Sequence, residues 1–241
     1  GSDLDEDAWL GQRVTALGGA YADYFLTTPD AVVRLPRDVD PTLALGEPIA
    51  CCVHASWRFG VQPGDHVAIV GCGFMGLVCM QLARRQGAAH VAAFEPIAER
   101  REMALQLGAD LAHPPERVDE TTFDVVIEAT GVPEALTLSG ELVAQHGRLI
   151  IIGYHQSNGG RRTVDMQQWN YKAIDVVNGH VRRQDEKWEA MQAGMALLLE
   201  GDLFLEPLVT FYPLADVEHA FIDVVNRKPG VFKAVLITTA K

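Results

Sequence analysis

The chain has 241 residues, and 20 Lys and Arg against 32 Asp and Glu give it a formal net charge of −12 at pH 7. This acidic balance argues against a nucleic-acid partner, because phosphate backbones attract basic surfaces. The apolar fraction of 48% and the charged fraction of 22% are typical of a globular protein with a buried core, and they exclude a disordered chain.

The cysteines and the N-terminal residues bear on the cellular compartment. The four cysteines form no CxxC pair and are too few for a disulfide framework, which predicts a reducing compartment and a cytoplasmic protein. Residues 1–7 are acidic, unlike a signal peptide. The apolar stretch 67–83 contains three glycines and is short for a membrane span, so we predict no membrane segment.

Strand and helix patterns follow one another along the chain. Before residue 54, short strand patterns separated by Gly, Pro and Asp predict part of a β-rich domain. From residue 66, strands that are apolar on both faces alternate with helices, which predicts an α/β fold with a doubly wound parallel sheet. The predicted strands are 12–17, 24–27, 31–35, 66–70, 91–95, 123–128, 148–152, 173–177, 209–211 and 231–237, and the predicted helices are 74–86, 97–107, 133–143, 186–200 and 214–225, with an irregular loop at 156–162.

A glycine-rich turn joins the first strand of this alternating region to its helix. Gly71, Gly73 and Gly76 fit the pattern GxGxxG directly after the predicted strand. Gly71 permits the tight turn, Gly73 lets a pyrophosphate approach the backbone, and Gly76 lets the helix pack on the strand. A plain strand-to-helix turn is the structural alternative, but the pattern in this context favours a dinucleotide site.

An acidic residue supports that interpretation. Glu95 ends the next predicted strand, 19 residues after Gly76, where a carboxylate can accept hydrogen bonds from the ribose hydroxyls of NAD. It would repel the 2′-phosphate of NADP, so we expect NAD rather than NADP. Arg100 and Arg101 lie nearby and could tolerate that phosphate. A solvated charge at a strand end is the other interpretation of Glu95.

The chain resembles the medium-chain dehydrogenase/reductases, in the branch of zinc-type alcohol, polyol and threonine dehydrogenases. The resemblance implies a Rossmann cofactor domain and an incomplete, GroES-like catalytic domain. The implied division is 1–54 for a remnant of the catalytic domain, 55–188 for the NAD-binding domain and 189–241 for a return segment. It rests on the glycine turn and on residues 11–14 (GQRV), 21–24 (YADY), 47–50 (EPIA), 53–55 (VHA), 61–65 (VQPGD), 128–131 (EATG), 147–150 (GRLI) and 230–236 (GVFKAVL).

The resemblance also implies roles for individual residues around the cofactor. Met75 would lie behind the nicotinamide ring, next to Phe74 in the turn, and Lys233 would meet the pyrophosphate. The remaining implied cofactor contacts come after the fourth and fifth strands of the sheet and comprise Thr130, Gly131, Ile152, Gly153 and Tyr154.

The metal site of the family is where this chain differs most from the pattern. No cysteine precedes Cys51, there is no Gly-His-Glu motif, and the eight histidines show no HxH or HExxH spacing. Glu47 matches a position that can add a carboxylate to the zinc site, but one ligand is not a site. We therefore predict no catalytic zinc in this chain. Residues 1–5 resemble the family's own sequence, which leaves open a fragment or a shortened family member.

Without zinc, side chains must assist hydride transfer. His155 and His180 each follow a predicted sheet strand and could act as acid or base, and a loop histidine exposed to water is the simpler interpretation of each one alone. The leading hypothesis is an NAD-dependent oxidoreductase that acts on a secondary alcohol or carbonyl substrate and forms a homodimer. The alternative is a zinc-free relative that binds a dinucleotide without catalysis, or that performs a zinc-independent reduction or isomerisation.

Overall fold

The computed structural model describes residues 9–18, 24–117 and 122–238, and within them the chain forms ten strands and seven α-helices. The strands are β1 (Val14–Ala16), β2 (Val32–Arg34), β3 (His66–Val70), β4 (His90–Phe94), β5 (Leu111–His113), β6 (Phe123–Glu128), β7 (Val143–Ile151), β8 (Asp175–Asn178), β9 (Val209–Pro213) and β10 (Lys233–Ile237). The helices are α1 (Gly46–Ser56), α2 (Phe74–Arg85), α3 (Ala98–Gln106), α4 (Pro133–Leu142), α5 (Met166–Lys172), α6 (Gln184–Glu200) and α7 (Val217–Val225).

Six strands form one parallel sheet in the order β5-β4-β3-β6-β7-β8. The order reverses between β3 and β6, which is the switch point of a doubly wound sheet. Alternate residues of the central strands pack into two separate cores. Val67 and Ile69 contact the layer that includes α1, α2 and α6, whereas Ala68 and Val70 contact the layer of α4. The doubly wound α/β fold expected from the sequence is confirmed.

The flanking segments form small sheets of their own. β1 and β2 pair antiparallel, and β9 and β10 pair parallel in a second two-stranded sheet. α1 lies against α6, where Ile49 is fully buried. The indole nitrogen of Trp188 in α6 donates to the carbonyl of Val32, 3.0 Å away, and so ties β2 to this helix pair.

Five local features differ from the predictions, and two of them are the helices α1 and α5, which were not predicted. Residues 24–27 form no strand, and Tyr24 and Leu26 are 93% and 100% exposed, without a partner strand in the described residues. β5 was not predicted, because three residues are too few to show a period. β7 begins at Val143 instead of residue 148: Val143 pairs with Phe123 before a register shift, and His146 has a φ of 60°.

No helix in the described residues combines the length and the apolar character needed to cross a membrane. Residues 1–8, 19–23, 118–121 and 239–241 lie outside the description. The acidic N-terminal stretch and most of the 21–24 motif fall among them.

Candidate functional site

Three clefts meet along the carboxyl ends of the sheet strands, and Ala129 lines all three. The large cleft, of about 730 Å³, is bordered by the glycine turn, Glu95 and Thr130. The middle cleft, of about 400 Å³, lies between the start of α2 and β10. The third cleft, of about 480 Å³, lies beyond β7 and reaches α1, and it is called the small cleft by contrast with the large one. Together they form one elongated depression at the switch point of the sheet.

Two glycines of the turn are required by the fold itself. Gly71 has a φ of +96°, and a Cβ there would lie 2.3 Å from the Thr130 methyl carbon. A Cβ on Gly76 would lie 2.0 Å from the Gly71 carbonyl oxygen, where α2 packs closely on the turn. Both positions exclude any larger side chain by contact with protein atoms.

Gly73 differs from these two glycines. Its backbone is extended, with φ −75° and ψ −177°, which any residue can adopt. The nearest atom to a Cβ built there is Nη1 of Arg100, 3.9 Å away. The protein therefore has room for a side chain at the N-cap of α2. Because this residue is a glycine, the space stays empty and is continuous with the clefts that Gly73 lines.

Glu95 is held against the glycine turn. The carboxylate is only 4% exposed; Oε2 accepts from the amide of Cys72 at 2.8 Å and Oε1 from the amide of Ile97 at 3.1 Å. Each carboxylate oxygen has a second acceptor direction beyond these bonds. The large cleft is thus lined by a fixed carboxylate beside the opening at Gly73.

Three cationic side chains surround the turn. Arg100 lines the large cleft, and its guanidinium carbon lies 5.7 Å from the Phe232 ring. Lys233 lines the middle cleft, with Nζ 5.6 Å from the ring of Phe74. Arg101 donates to the carbonyls of Glu95 and Pro96, at 2.8 and 2.7 Å. Arg100 and Lys233 therefore place positive charge on either side of the α2 N-terminus, which itself favours anions.

The small cleft brings together six of the remaining predicted residues, whereas Gly131 and His155 do not line it. Its walls include Met75, Ile152, Gly153, Tyr154, His180 and Glu47. The ring of His180 packs edge-on to that of Tyr154, with centroids 5.6 Å apart, and its Nε2 lies 3.4 Å from the Gly153 carbonyl oxygen. His180 is half-buried and faces this cleft, so it can meet a ligand there.

The cysteines near this cleft are neutral thiols. Burial and the neighbouring Glu47 carboxylate raise the pKa of Cys51 to about 12, and Cys51 donates to Oε1 of Glu47 at 3.3 Å. The pKa of Cys52 is raised by its contact with Cys79 and by burial. Cys52 donates to the Met75 carbonyl at 3.7 Å and holds that residue in place. Neither thiol is a nucleophile at neutral pH.

Glu128 and Arg162 are site residues that the sequence analysis did not select. Glu128, at the end of β6, is fully buried and accepts from the ring of His155 at 3.0 Å. Arg162 donates to the other ring nitrogen of His155 at 2.8 Å. His155 therefore belongs to a hydrogen-bonded network between the loops that follow β6 and β7. The sequence signals for Glu128 were its place at the end of an apolar strand and in the 128–131 motif, and neither assigned it a role.

Within the described residues, no three His, Cys, Asp or Glu side chains lie close enough to hold a metal ion. Glu47, the expected extra carboxylate, is exposed and has the Cys51 thiol as its hydrogen-bond donor. These residues do not by themselves fit a catalytic zinc.

Comparison with known proteins places this arrangement in context. The family described as zinc-binding dehydrogenase matches residues 75–198. An L-threonine 3-dehydrogenase of Bacillus velezensis is 30% identical over 234 residues, which cover 91% of this chain and 65% of that protein. The chain thus spans less than two thirds of the length of this curated relative.

Solved structures share the fold. An Escherichia coli oxidoreductase/dehydrogenase of unknown specificity superposes with a TM-score of 0.78 at 23% identity, over 89% of this chain and 62% of that one. A zinc-binding dehydrogenase of Sinorhizobium meliloti 1021, bound to NADP, gives a TM-score of 0.74 at 25% identity, over 86% of this chain and 62% of that one. With its glycine turn, its switch-point clefts and a family match over half its length, this chain belongs to the zinc-binding dehydrogenase family.

Proposed function

We propose that the protein binds NAD across the three clefts and takes part in oxidising a secondary alcohol, or in the reverse reduction of a ketone. The observation that carries the proposal is the opening at Gly73. The fold does not require a glycine there, and the opening lies at a helix N-terminus between a carboxylate and two cationic side chains. A diphosphate with a sugar on each side matches that distribution of charge.

Each cleft suits one part of such a cofactor. The large cleft, with Glu95 and Thr130, would hold the adenosine half, and the middle cleft, with Lys233, the diphosphate. The small cleft would hold the nicotinamide against Met75, near Ile152, Gly153 and Tyr154. Gly131, whose Cβ would lie 2.6 Å from the Tyr154 carbonyl oxygen, lets the two loops around this ring approach each other.

NAD is preferred over NADP in this proposal, because the Glu95 carboxylate repels a 2′-phosphate. Arg100 beside it could compensate for that repulsion. The Sinorhizobium protein was found with NADP bound. The preference of this chain for NAD or NADP is therefore tested by parallel titrations with NADH and NADPH.

The chemistry at the small cleft needs a proton donor or acceptor near the reacting oxygen. A bound nicotinamide supplies or accepts the hydride. His180 is our candidate for the proton transfer, because its ring faces the cleft that Glu47 also lines. His155 has both ring nitrogens hydrogen-bonded, so the geometry favours a positioning role for it.

The substrate class is inferred from the relatives. The Bacillus velezensis protein is named for oxidising L-threonine at carbon 3, which bears a secondary hydroxyl group. The relatives' names favour a dehydrogenase over the alternative of a non-catalytic module or a zinc-independent isomerase.

We further propose a division into residues 1–54, 55–188 and 189–241, a homodimer, and a cytoplasmic location that agrees with four free thiols.

The test is a fluorescence titration with NADH. We expect saturable binding to the wild-type chain and, in Gly73→Ala, an affinity weaker by at least about tenfold, or 1.4 kcal/mol, because the new methyl group occupies the space needed by the diphosphate. The melting temperature should stay unchanged, since the fold has room for that methyl group.

Gly76→Ala is the contrasting variant, and it should lose stability because its Cβ meets the Gly71 carbonyl. No response of the wild type to millimolar NADH, or wild-type affinity in Gly73→Ala, would contradict the proposal. Elemental analysis of the same samples tests the prediction that the chain holds no stoichiometric zinc.

A further inference from the structure

We propose that Glu128, His155 and Arg162 form a positioning device that fixes the large and small clefts relative to each other. The proposal rests on the proposed function, in which these clefts hold the two ends of one dinucleotide. None of the three residues lines either cleft, and they act through the loops that do.

One oxygen of the Glu128 carboxylate organises the loop after β6. Oε1 accepts from the amides of Thr130 and Gly131, at 2.7 and 2.9 Å, and from the Thr130 hydroxyl. The Thr130 hydroxyl oxygen in turn accepts from the amide of Val132 at 2.9 Å. Thr130 and Val132 line the large cleft, so this oxygen sets the position of that wall.

The other oxygen organises the loop after β7. Oε2 contacts the His155 ring nitrogen Nε2, and the Glu128 carbonyl accepts from the amides of Ile152 and Gly153 at 2.9 and 3.0 Å. A Cβ on Gly153 would lie 2.4 Å from Oε2, so only glycine allows the loop to pass this closely. Ile152, Gly153 and Tyr154 line the small cleft, so a single buried residue holds one wall of each cleft.

Arg162 completes the network and selects the tautomer of the His155 ring. A guanidinium only donates hydrogen bonds, so Nδ1 of His155 must accept from Arg162 and carries no proton. The ring proton then lies on Nε2 and points to Glu128. Arg162 also donates to the carbonyls of Gly131 and Ser157, at 3.3 and 2.7 Å, which links the β7 loop back to the β6 loop.

The network accepts only a carboxylate at position 128. In Glu128→Gln, one end of the amide is an NH2 donor. It would face either the amides of Thr130 and Gly131 or the Nε2 proton of His155, so two donors would meet in a buried site. Such an unsatisfied contact is costly. We therefore expect Glu128→Gln to disturb the wall of whichever cleft its NH2 group faces. Arg162→Ala should disturb mainly the small cleft, since Oε1 of Glu128 keeps its three donors.

The experiment compares two ligands in two arginine variants. NADH occupies both clefts, whereas ADP-ribose lacks the nicotinamide and leaves the small cleft empty. In Arg162→Ala we expect NADH affinity to fall about tenfold while ADP-ribose affinity stays within about twofold of wild type. Arg161→Ala is the matched control: it removes an exposed guanidinium one residue earlier and should change neither affinity.

Backbone amide hydrogen exchange gives a second measurement that needs no ligand. Without Arg162, amides of residues 152–156 should exchange faster, and those of residues 130–132 should be less affected. The proposal is overturned if Arg162→Ala lowers the affinities for NADH and ADP-ribose equally. It is also overturned if this variant keeps both the wild-type exchange rates and the wild-type NADH affinity. If the wild type binds no NADH, the proposed function fails. The amide exchange rates of wild type and Arg162→Ala then still show whether the network holds the loops.

Discussion

Glu95 is a buried carboxylate that has two backbone amides as its hydrogen-bond donors. Cys72 belongs to the glycine turn and Ile97 precedes α3, so the side chain links the ends of two βα units. The negative charge is stabilised there by amide dipoles, and Glu95 also lines the large cleft. One side chain therefore serves the turn and, in our proposal, the cofactor ribose.

We expect Glu95→Gln to destabilise the protein by about 1–3 kcal/mol, because the amide can accept at only one oxygen and leaves one buried backbone N–H without a partner. Chemical denaturation measures the change. Glu116→Gln is the control, since Glu116 lines the same cleft but is exposed. Equal stability of the two variants would show that the contact with the turn contributes nothing.

At the scale of the elements, the packing of α1 on α6 depends on small residues. A Cβ on Gly194 of α6 would lie 2.5 Å from Cγ2 of the fully buried Ile49. Glycine is unfavourable in the middle of a helix, by about 0.8–1.0 kcal/mol relative to alanine. Its presence in the sequence therefore reflects the close approach of the two helices.

Gly194→Ala should accordingly lower stability by about 1–3 kcal/mol through overpacking, in spite of the gain in helix propensity. Ile49→Ala should cost about 2–5 kcal/mol by leaving a cavity. The double variant should be more stable than the sum of the two effects predicts, because the new methyl group enters the cavity. Simple additivity in urea denaturation would exclude this steric explanation.

The sequence predicted most of the central sheet, because buried strands and their helices have clear hydrophobic periods. It also identified the glycine turn and Glu95, whose spacing along the chain reflects one βαβ unit. It did not identify Arg162, which lay in a loop expected to be irregular. Its contact with His155 depends on how that loop folds back, and neither period nor spacing encodes such a tertiary contact.

For the molecule as a whole, the two edges of the sheet are the places where another chain could pair. β8 forms one edge and β5 the other, with Val176 46% and Leu111 45% exposed. Exposed edge strands present unpaired backbone groups to a partner. The β8 edge is longer, at four residues against three, and it follows an exposed Tyr171.

We expect the proposed homodimer to form through β8, so that Val176→Lys shifts the molecular mass in solution from dimer to monomer. Light scattering coupled to size-exclusion chromatography measures this molecular mass. Leu111→Lys, a change of matched exposure on the other edge, should leave the mass unchanged. A wild-type monomer, or a dimer in both variants, would exclude this edge as the interface.

Among the described residues, Ala129 alone borders all three clefts, and its side chain is a single methyl group. The width of the opening between the clefts therefore depends on the small size of the alanine side chain. A bulky residue here would partition the depression into separate compartments while leaving the walls of each intact. Such a protein could still accept a mononucleotide in one compartment, yet an undivided dinucleotide would no longer fit from end to end.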